Sequence, residues 1–182
     1  LGMEGLGPYT YAAFRFALGV IFMGGLWFLY RGKRAAERRA GTFRSGFRAG
    51  IPVGVAMFAG VTLQQVALLY TTAGKTAFIT TLYIVLVPLA AVALGHRIRM
   101  AQWISAVLAF AGVYFLSAYG EMTINKGDVL VFICSLFWMA QILLIDRFAR
   151  TVDAIELCLT EMIVCMFGSA ALAAAYESFA WT

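Results

Sequence analysis

Few side chains in this 182-residue chain can do chemistry, and most of them sit inside long apolar runs. Arg15 lies six residues into the first run, about 9 Å deep at 1.5 Å per residue. A guanidinium left in lipid costs roughly 2.5–3.5 kcal/mol on insertion scales, so Arg15 must face other helices or snorkel. It is either an anion-attracting or gating group on a path, or a structural tie to helix-end carbonyls. Glu161 lies seven residues into the last run, entered from the opposite face. A buried carboxyl that can exchange a proton makes it a candidate coupling group; a carboxylate partnered near the interface by Arg147 or Arg150 is the alternative. The two charges differ in depth by about 13 Å, which argues against a direct salt bridge. Glu156, nearer the interface, reads as solvated.

A second set is polar but uncharged. Thr76, Thr80, Tyr83 and Val87 follow one another at spacings of 4, 3 and 4, one face of a helix. Two hydroxyls and a phenol on one face suit either a polar cavity wall or hydrogen bonds between helices, each worth under about 1 kcal/mol. Pro88 continues near this face and leaves the Ile84 carbonyl without its usual partner, so that carbonyl needs a neighbour or a wet cavity. Gln64 and Gln65 point about 100° apart, so one of them at most faces a path. Trp138 and Gln141, three residues apart, share a face at mid-run. An indole N–H and an amide both need partners there, as a substrate wall or as core packing. Cys134, Cys158 and Cys165 read as inert packing thiols. With one His and three Cys, no metal centre, disulfide framework or cofactor is expected.

These residues are positioned by six apolar runs: Tyr9–Tyr30, Ala49–Tyr70, Lys75–Gly95, Ala101–Ser117, Asp128–Ile145 and Ala154–Tyr176. The chain is 63% apolar and 13% charged, where a soluble domain carries about 25% charge. Each run is long enough to cross a hydrocarbon core of about 30 Å as continuous helix. None alternates as a barrel strand would. The predicted fold is therefore an all-α polytopic membrane bundle. No signal peptide is read, and the absence of an initial Met is expected of part of a longer protein.

Charge sets the orientation. Arg31, Lys33, Arg34, Arg38, Arg39, Arg44, Arg48, Arg97, Arg99, Arg147 and Arg150 fall on one side, leaving only Lys75, Lys126 and the intramembrane Arg15 of the 14 basic residues. The positive-inside rule places segments 31–48, 96–100 and 146–153 in the cytoplasm and both ends of this chain outside. Net charge +5 thus reports topology, and no nucleic-acid partner is expected. A role for the 31–48 segment on anionic headgroups stays open. Tyr9, Tyr11, Trp27, Tyr30, Tyr70, Trp103, Tyr119, Tyr176 and Trp181 fall near run ends, where amphipathic rings favour the headgroup level. Small residues recur every fourth position at Gly46, Gly50 and Gly54 and at Ala101, Ser105 and Ala109. Such faces allow close helix approach, within one bundle or in a dimer. The first run heads inward and the sixth outward; they are five spans apart, as an inverted odd-numbered repeat requires.

The stretch from Leu63 to Pro88, with Gln64-Gln65, Thr71-Thr72-Ala73-Gly74-Lys75 and the late Pro88, resembles the drug/metabolite transporter superfamily in its ten-helix EamA-like branch. It looks like that family's third helix, outer turn and fourth helix. Gly7-Pro8 with Arg15-Phe16 looks like the start of helix two, and Lys126-Gly127-Asp128 leading to Trp138 and Arg147 like the start of the second repeat. Six spans then correspond to helices two to seven of ten, with residues 1–124 in the first repeat and 125–182 in the second. Asp153-Ala154 stands where the first half has Gly7-Pro8. The resemblance implies a multi-pass plasma-membrane secondary transporter of small organic metabolites or drugs, in many members an exporter. Its partners would be the small-molecule substrate and the bilayer; oligomeric state is not read. A non-transporting scaffold or receptor subunit is the alternative. An intramembrane enzyme fits less well: the sole His96 sits at a helix end, and no HExxH or GxSxG motif occurs.

Overall fold

The computed structural model describes residues 7–39, 44–95, 99–117 and 125–177. His96, Arg97, Tyr119 and Trp181 lie outside the described residues. The expectation of an all-α membrane bundle holds. Seven helices occur among the described residues: α1 Pro8–Arg39, α2 Phe47–Ala67, α3 Ala73–Thr80, α4 Tyr83–Ala93, α5 Met100–Ser117, α6 Lys126–Ala149 and α7 Ala154–Tyr176. Five stretches are long and apolar enough to cross a membrane, counting α3 and α4 together as Ala73–Ala93; α5 adds a shorter apolar stretch, Met100–Gly112. The protein is a multi-pass membrane protein.

Two expectations are corrected. The helix entered at Tyr9 does not end at Tyr30; α1 runs on through the basic segment to Arg39, because Lys, Arg, Ala and Glu are good helix formers. The run Lys75–Gly95 is not one continuous helix. At Thr81–Leu82 the N–H groups of Leu82, Ile84 and Val85 reach only three residues back, to the carbonyls of Ile79, Thr81 and Leu82 at 3.1, 2.9 and 3.0 Å. The Thr81 hydroxyl donates to the Ala77 carbonyl at 2.6 Å, a back-bond of the kind that bends helices. Pro88, further on, removes another ladder donor. In a turn of three-residue period, residues three apart eclipse, so Thr80 and Tyr83 have the spacing that the break aligns. Gly95 closes α4 at φ 84°, a left-handed conformation that suits glycine.

The chain forms two compact units, one of residues 1–58 with 144–182 and the other of residues 59–143. In the first, α1 and α7 run antiparallel. At one end the Glu177 carboxylate accepts from the Tyr9 and Thr10 N–H groups at 2.7 and 2.9 Å and from the Thr10 hydroxyl at 2.5 Å. This satisfies the orphan donors that open α1, where a negative charge also meets the helix dipole favourably. The first part of α2 packs on α7 through its glycines. A Cβ on Gly46 would lie 2.3 Å from the Asp153 carbonyl, on Gly50 2.5 Å from Thr160 Cβ, and on Gly54 2.7 Å from Val164 Cβ. The four-residue glycine spacing therefore serves packing within this chain. Val53, Val152 and Leu157 form the buried core beside them.

In the second unit, Asn125 and Asp128 cap α6 reciprocally: the Asp128 N–H donates to Asn125 Oδ1 and the Asn125 N–H to Asp128 Oδ2, both at 3.0 Å. Asp128 Oδ1 also accepts from the Thr71 hydroxyl at 2.6 Å. Gly127 lets α6 approach the end of α2, since a Cβ there would lie 3.0 Å from the Ala67 carbonyl. Phe78 of α3 stacks against Phe110 and Tyr114 of α5, with centroids 5.4 and 5.8 Å apart.

Candidate functional site

The uncharged polar residues all lie in the second unit. The α2 and α3 candidates meet directly: Gln64 Nε2 donates to Thr80 Oγ1 at 3.2 Å. Thr76 is buried, but its hydroxyl turns back to the Thr72 carbonyl at 2.9 Å, one turn earlier on its own helix. Tyr83, half-buried, opens α4 beyond the break. Val87 and Pro88 turn to α5, where with Ile84, Ser105 and Ala109 they line a groove of about 470 Å³. The Ala101–Ser105–Ala109 stripe thus forms one wall of that groove.

The polar accounting is incomplete here in a specific way. Gln65 Oε1 and Trp138 Nε1 are both buried; the oxygen has no hydrogen-bond partner, and the indole N–H has the Cys134 sulfur as a weak one. The indole is on the α2 side of α6, its Nε1 3.5 Å from where a Cβ on Gly60 would stand. Trp138 is expected to find an N–H partner; the sulfur of Cys134, one turn earlier on α6, is its weak one. Gln141, one turn on, is buried. Cys134 donates its thiol to the Gly60 carbonyl at 3.1 Å, which fixes α6 against α2 beside the indole. An unsatisfied buried acceptor costs about 1–3 kcal/mol, so Gln65 Oε1 is a position where a bound water or solute would supply the missing partner.

Arg15 and Glu161 belong to the other unit. Arg15 is exposed on α1, its guanidinium 5.0 Å from the Phe16 ring centroid, on a helix face it shares with exposed Phe14, Leu18 and Phe22. Glu161 is buried on α7, where Gly54 of α2 approaches its backbone. Arg150, offered as a partner for Glu161, pairs with Asp146 at 3.6 Å on the exposed surface.

Glu156 overturns its expected solvation. It is 0% exposed, and its carboxylate accepts from Trp27 Nε1 at 3.3 Å, Ser45 Oγ at 3.1 Å and the Gly46 N–H at 3.0 Å. Asp153 caps α7 by accepting from the Ile155 and Glu156 N–H groups at 3.0 and 3.2 Å. Its other oxygen lies 3.2 Å from Arg34 Nε, both side chains being 6% exposed. The Asp153 N–H and the Arg44 N–H complete a short parallel bridge to Arg44 and Thr151. Sequence reasoning missed this network, although Asp153-x-x-Glu156 before an apolar run has the form of a helix-start capping box.

Among the described residues no group of His, Cys, Asp and Glu could hold a metal ion. Residues 1–118 match the EamA-like transporter family. Over 151 residues the chain is 34% identical to a protein of Archaeoglobus fulgidus described as an uncharacterized transporter. The match covers 82% of this chain and 44% of that relative, so the chain spans under half of its length. No solved structure matches. On the extent of the family match, the chain belongs to the EamA-like transporter family.

Proposed function

We propose that the protein is a secondary carrier that moves a small organic solute across the plasma membrane by alternating access, in the outward direction. Residues 1–124 and 125–182 then belong to two inverted repeats, and the basic segments 31–48, 96–100 and 146–153 face the cytoplasm. It acts as a transporter and not as an enzyme. The observation that carries this reading is the buried Gln65 Oε1, which has no hydrogen-bond partner, in the unit that also holds the helix break at Thr81–Leu82. A packed scaffold would fill such positions with apolar groups or pair them, whereas a carrier must leave polar groups free to exchange partners with its cargo.

On this reading Gln64, Gln65, Thr76, Thr80, Tyr83, Pro88, Trp138 and Gln141 contribute to the path. Arg15 acts near one mouth, and Glu161 is the coupling carboxylate. The helix break at Thr81–Leu82 supports a path here, since non-helical backbone at membrane depth is tolerated beside protein or water and not beside lipid. The test is solute flux by the intact protein in sealed vesicles. Saturable flux that falls on Tyr83→Ala and Trp138→Ala, and loses its dependence on a proton gradient in Glu161→Gln, is expected. Flux indifferent to all three substitutions would remove these residues from the path. A bundle in which cysteines placed at Thr80 and Gln141 never react with aqueous reagents would favour a scaffold instead.

A further inference from the structure

A pocket of about 230 Å³ opens in the first unit between α1 and the start of α7, lined by Tyr30, Lys33, Arg34, Glu37, Asp153 and Ile155 among others. The apolar run from Tyr9 to Tyr30 covers about 32 Å of helix, close to a hydrocarbon thickness of about 30 Å. The pocket therefore begins where hydrocarbon ends and headgroups start.

Its polar groups are of both signs. Lys33 and Glu37 are four residues apart, which sets a cation and an anion side by side along α1. Arg34 is 6% exposed and its donors are only partly used. Nη2 donates to the Trp27 carbonyl, and Nε faces Asp153 Oδ2 at 3.2 Å. Nη1 is buried and has no hydrogen-bond partner. The first turn of α7 adds a positive dipole end on the same wall, its Ile155 and Glu156 N–H groups being taken by Asp153. An unused guanidinium donor beside a lysine and a helix start suits a phosphate oxygen. The glutamate suits an ammonium group, and the alanine, valine and isoleucine around them suit the first methylenes of a lipid's acyl chains.

We propose that this pocket binds a phosphate ester that carries an ammonium group, the chemistry of a phosphoethanolamine headgroup. Lys33 and Arg34 hold the phosphate and Glu37 the ammonium. A simple anionic headgroup would use the first set and be repelled by Glu37 and Asp153. This site differs from the proposed solute path in its residues and its cargo.

The test is native mass spectrometry of the intact protein, purified and offered phosphatidylethanolamine, phosphatidylglycerol or free phosphoethanolamine. Wild type is expected to retain phosphatidylethanolamine over phosphatidylglycerol by about tenfold, the scale of one charge-assisted hydrogen bond. Glu37→Gln should abolish or reverse that preference, while Lys33→Gln should weaken retention of both lipids. If free phosphoethanolamine displaces the lipid, the natural occupant is soluble; if only the lipid binds, it is the bilayer. Equal retention of the two lipids by wild type overturns the proposal, and that measurement stands should the Glu37 variant not fold. A Glu37→Gln protein that keeps the wild-type preference overturns it as well.

Discussion

The two units treat their polar residues in opposite ways. In the unit of residues 1–58 and 144–182, Glu156, Asp153 and Glu177 are each saturated with donors and tie helix ends together. Arg34, ion-paired with Asp153 through Nε, keeps a buried Nη1 without a hydrogen-bond partner. In the unit of residues 59–143 the polar groups at depth are neutral. Gln64 donates to Thr80, and a buried oxygen of Gln65 has no hydrogen-bond partner. Charge at helix ends fixes helices, as Asp128 also does at the start of α6, and part of the uncharged polarity is left available. A buried carboxylate is tolerable only when fully partnered, while an amide or indole can wait for a partner at a cost of about 1–3 kcal/mol.

The largest expected effect tests the saturated side of that contrast. Glu156→Ala leaves the Trp27 indole, the Ser45 hydroxyl and the Gly46 N–H without their acceptor in a fully buried place. A loss of about 3–5 kcal/mol of stability is expected from three such donors, less than their simple sum because water can enter. Denaturant or thermal unfolding of the intact protein in detergent measures it. An unfolding midpoint close to wild type would show that these bonds are dispensable, and the contrast between the units would lose its firmer half.

Close packing in the same unit gives the next effect. Gly50→Val would place a Cβ 2.5 Å from Thr160 Cβ and 2.7 Å from the Leu157 carbonyl, which is backbone and cannot move aside. Overpacking of this kind costs typically about 1–3 kcal/mol. Gly24→Ala, where a Cβ meets nothing within 4 Å, serves as the control and should be neutral or slightly stabilising, by up to about 1 kcal/mol. Equal destabilisation by the two substitutions would mean that the Gly46–Gly50–Gly54 face is not what holds α2 to α7.

How much of this was legible in sequence depends on distance along the chain. Apolar length and the basic asymmetry are local or one-dimensional signals, so the spans could be read from them. The four-residue glycine spacing was also visible, but its partner Thr160 lies 110 positions away from Gly50, and spacing alone left a dimer open. Glu156 was misread for the same reason. Its depth near an interface suggested water, while its donors come from 110, 111 and 129 positions away. The break at Thr81–Leu82 was hidden by hydropathy, which stays high across Ala73–Ala93 whether the backbone is α-helical or tightened. In the candidate path, the sequence pointed to residue types that need partners. That Gln64 finds one in Thr80 while a Gln65 oxygen finds none is a matter of geometry.

The smallest expected effect on stability bears on the second unit, and there it is the sign that matters. Gln65→Met keeps the length of the side chain and removes the buried, unpartnered Oε1. If that oxygen is structural, its loss removes a needed acceptor and unfolding comes earlier, as with Glu156. If it waits for cargo, nothing in the resting fold depends on it. Stability should then hold or rise, within about 1 kcal/mol, because replacing an unsatisfied polar atom with an apolar one relieves its desolvation. Transport should fall at the same time, since the solute loses the acceptor it would have met. Measured together in one preparation, an unchanged or raised unfolding midpoint with reduced flux supports the division between the units. A lowered midpoint with unchanged flux would place Gln65 among the residues that only hold helices together.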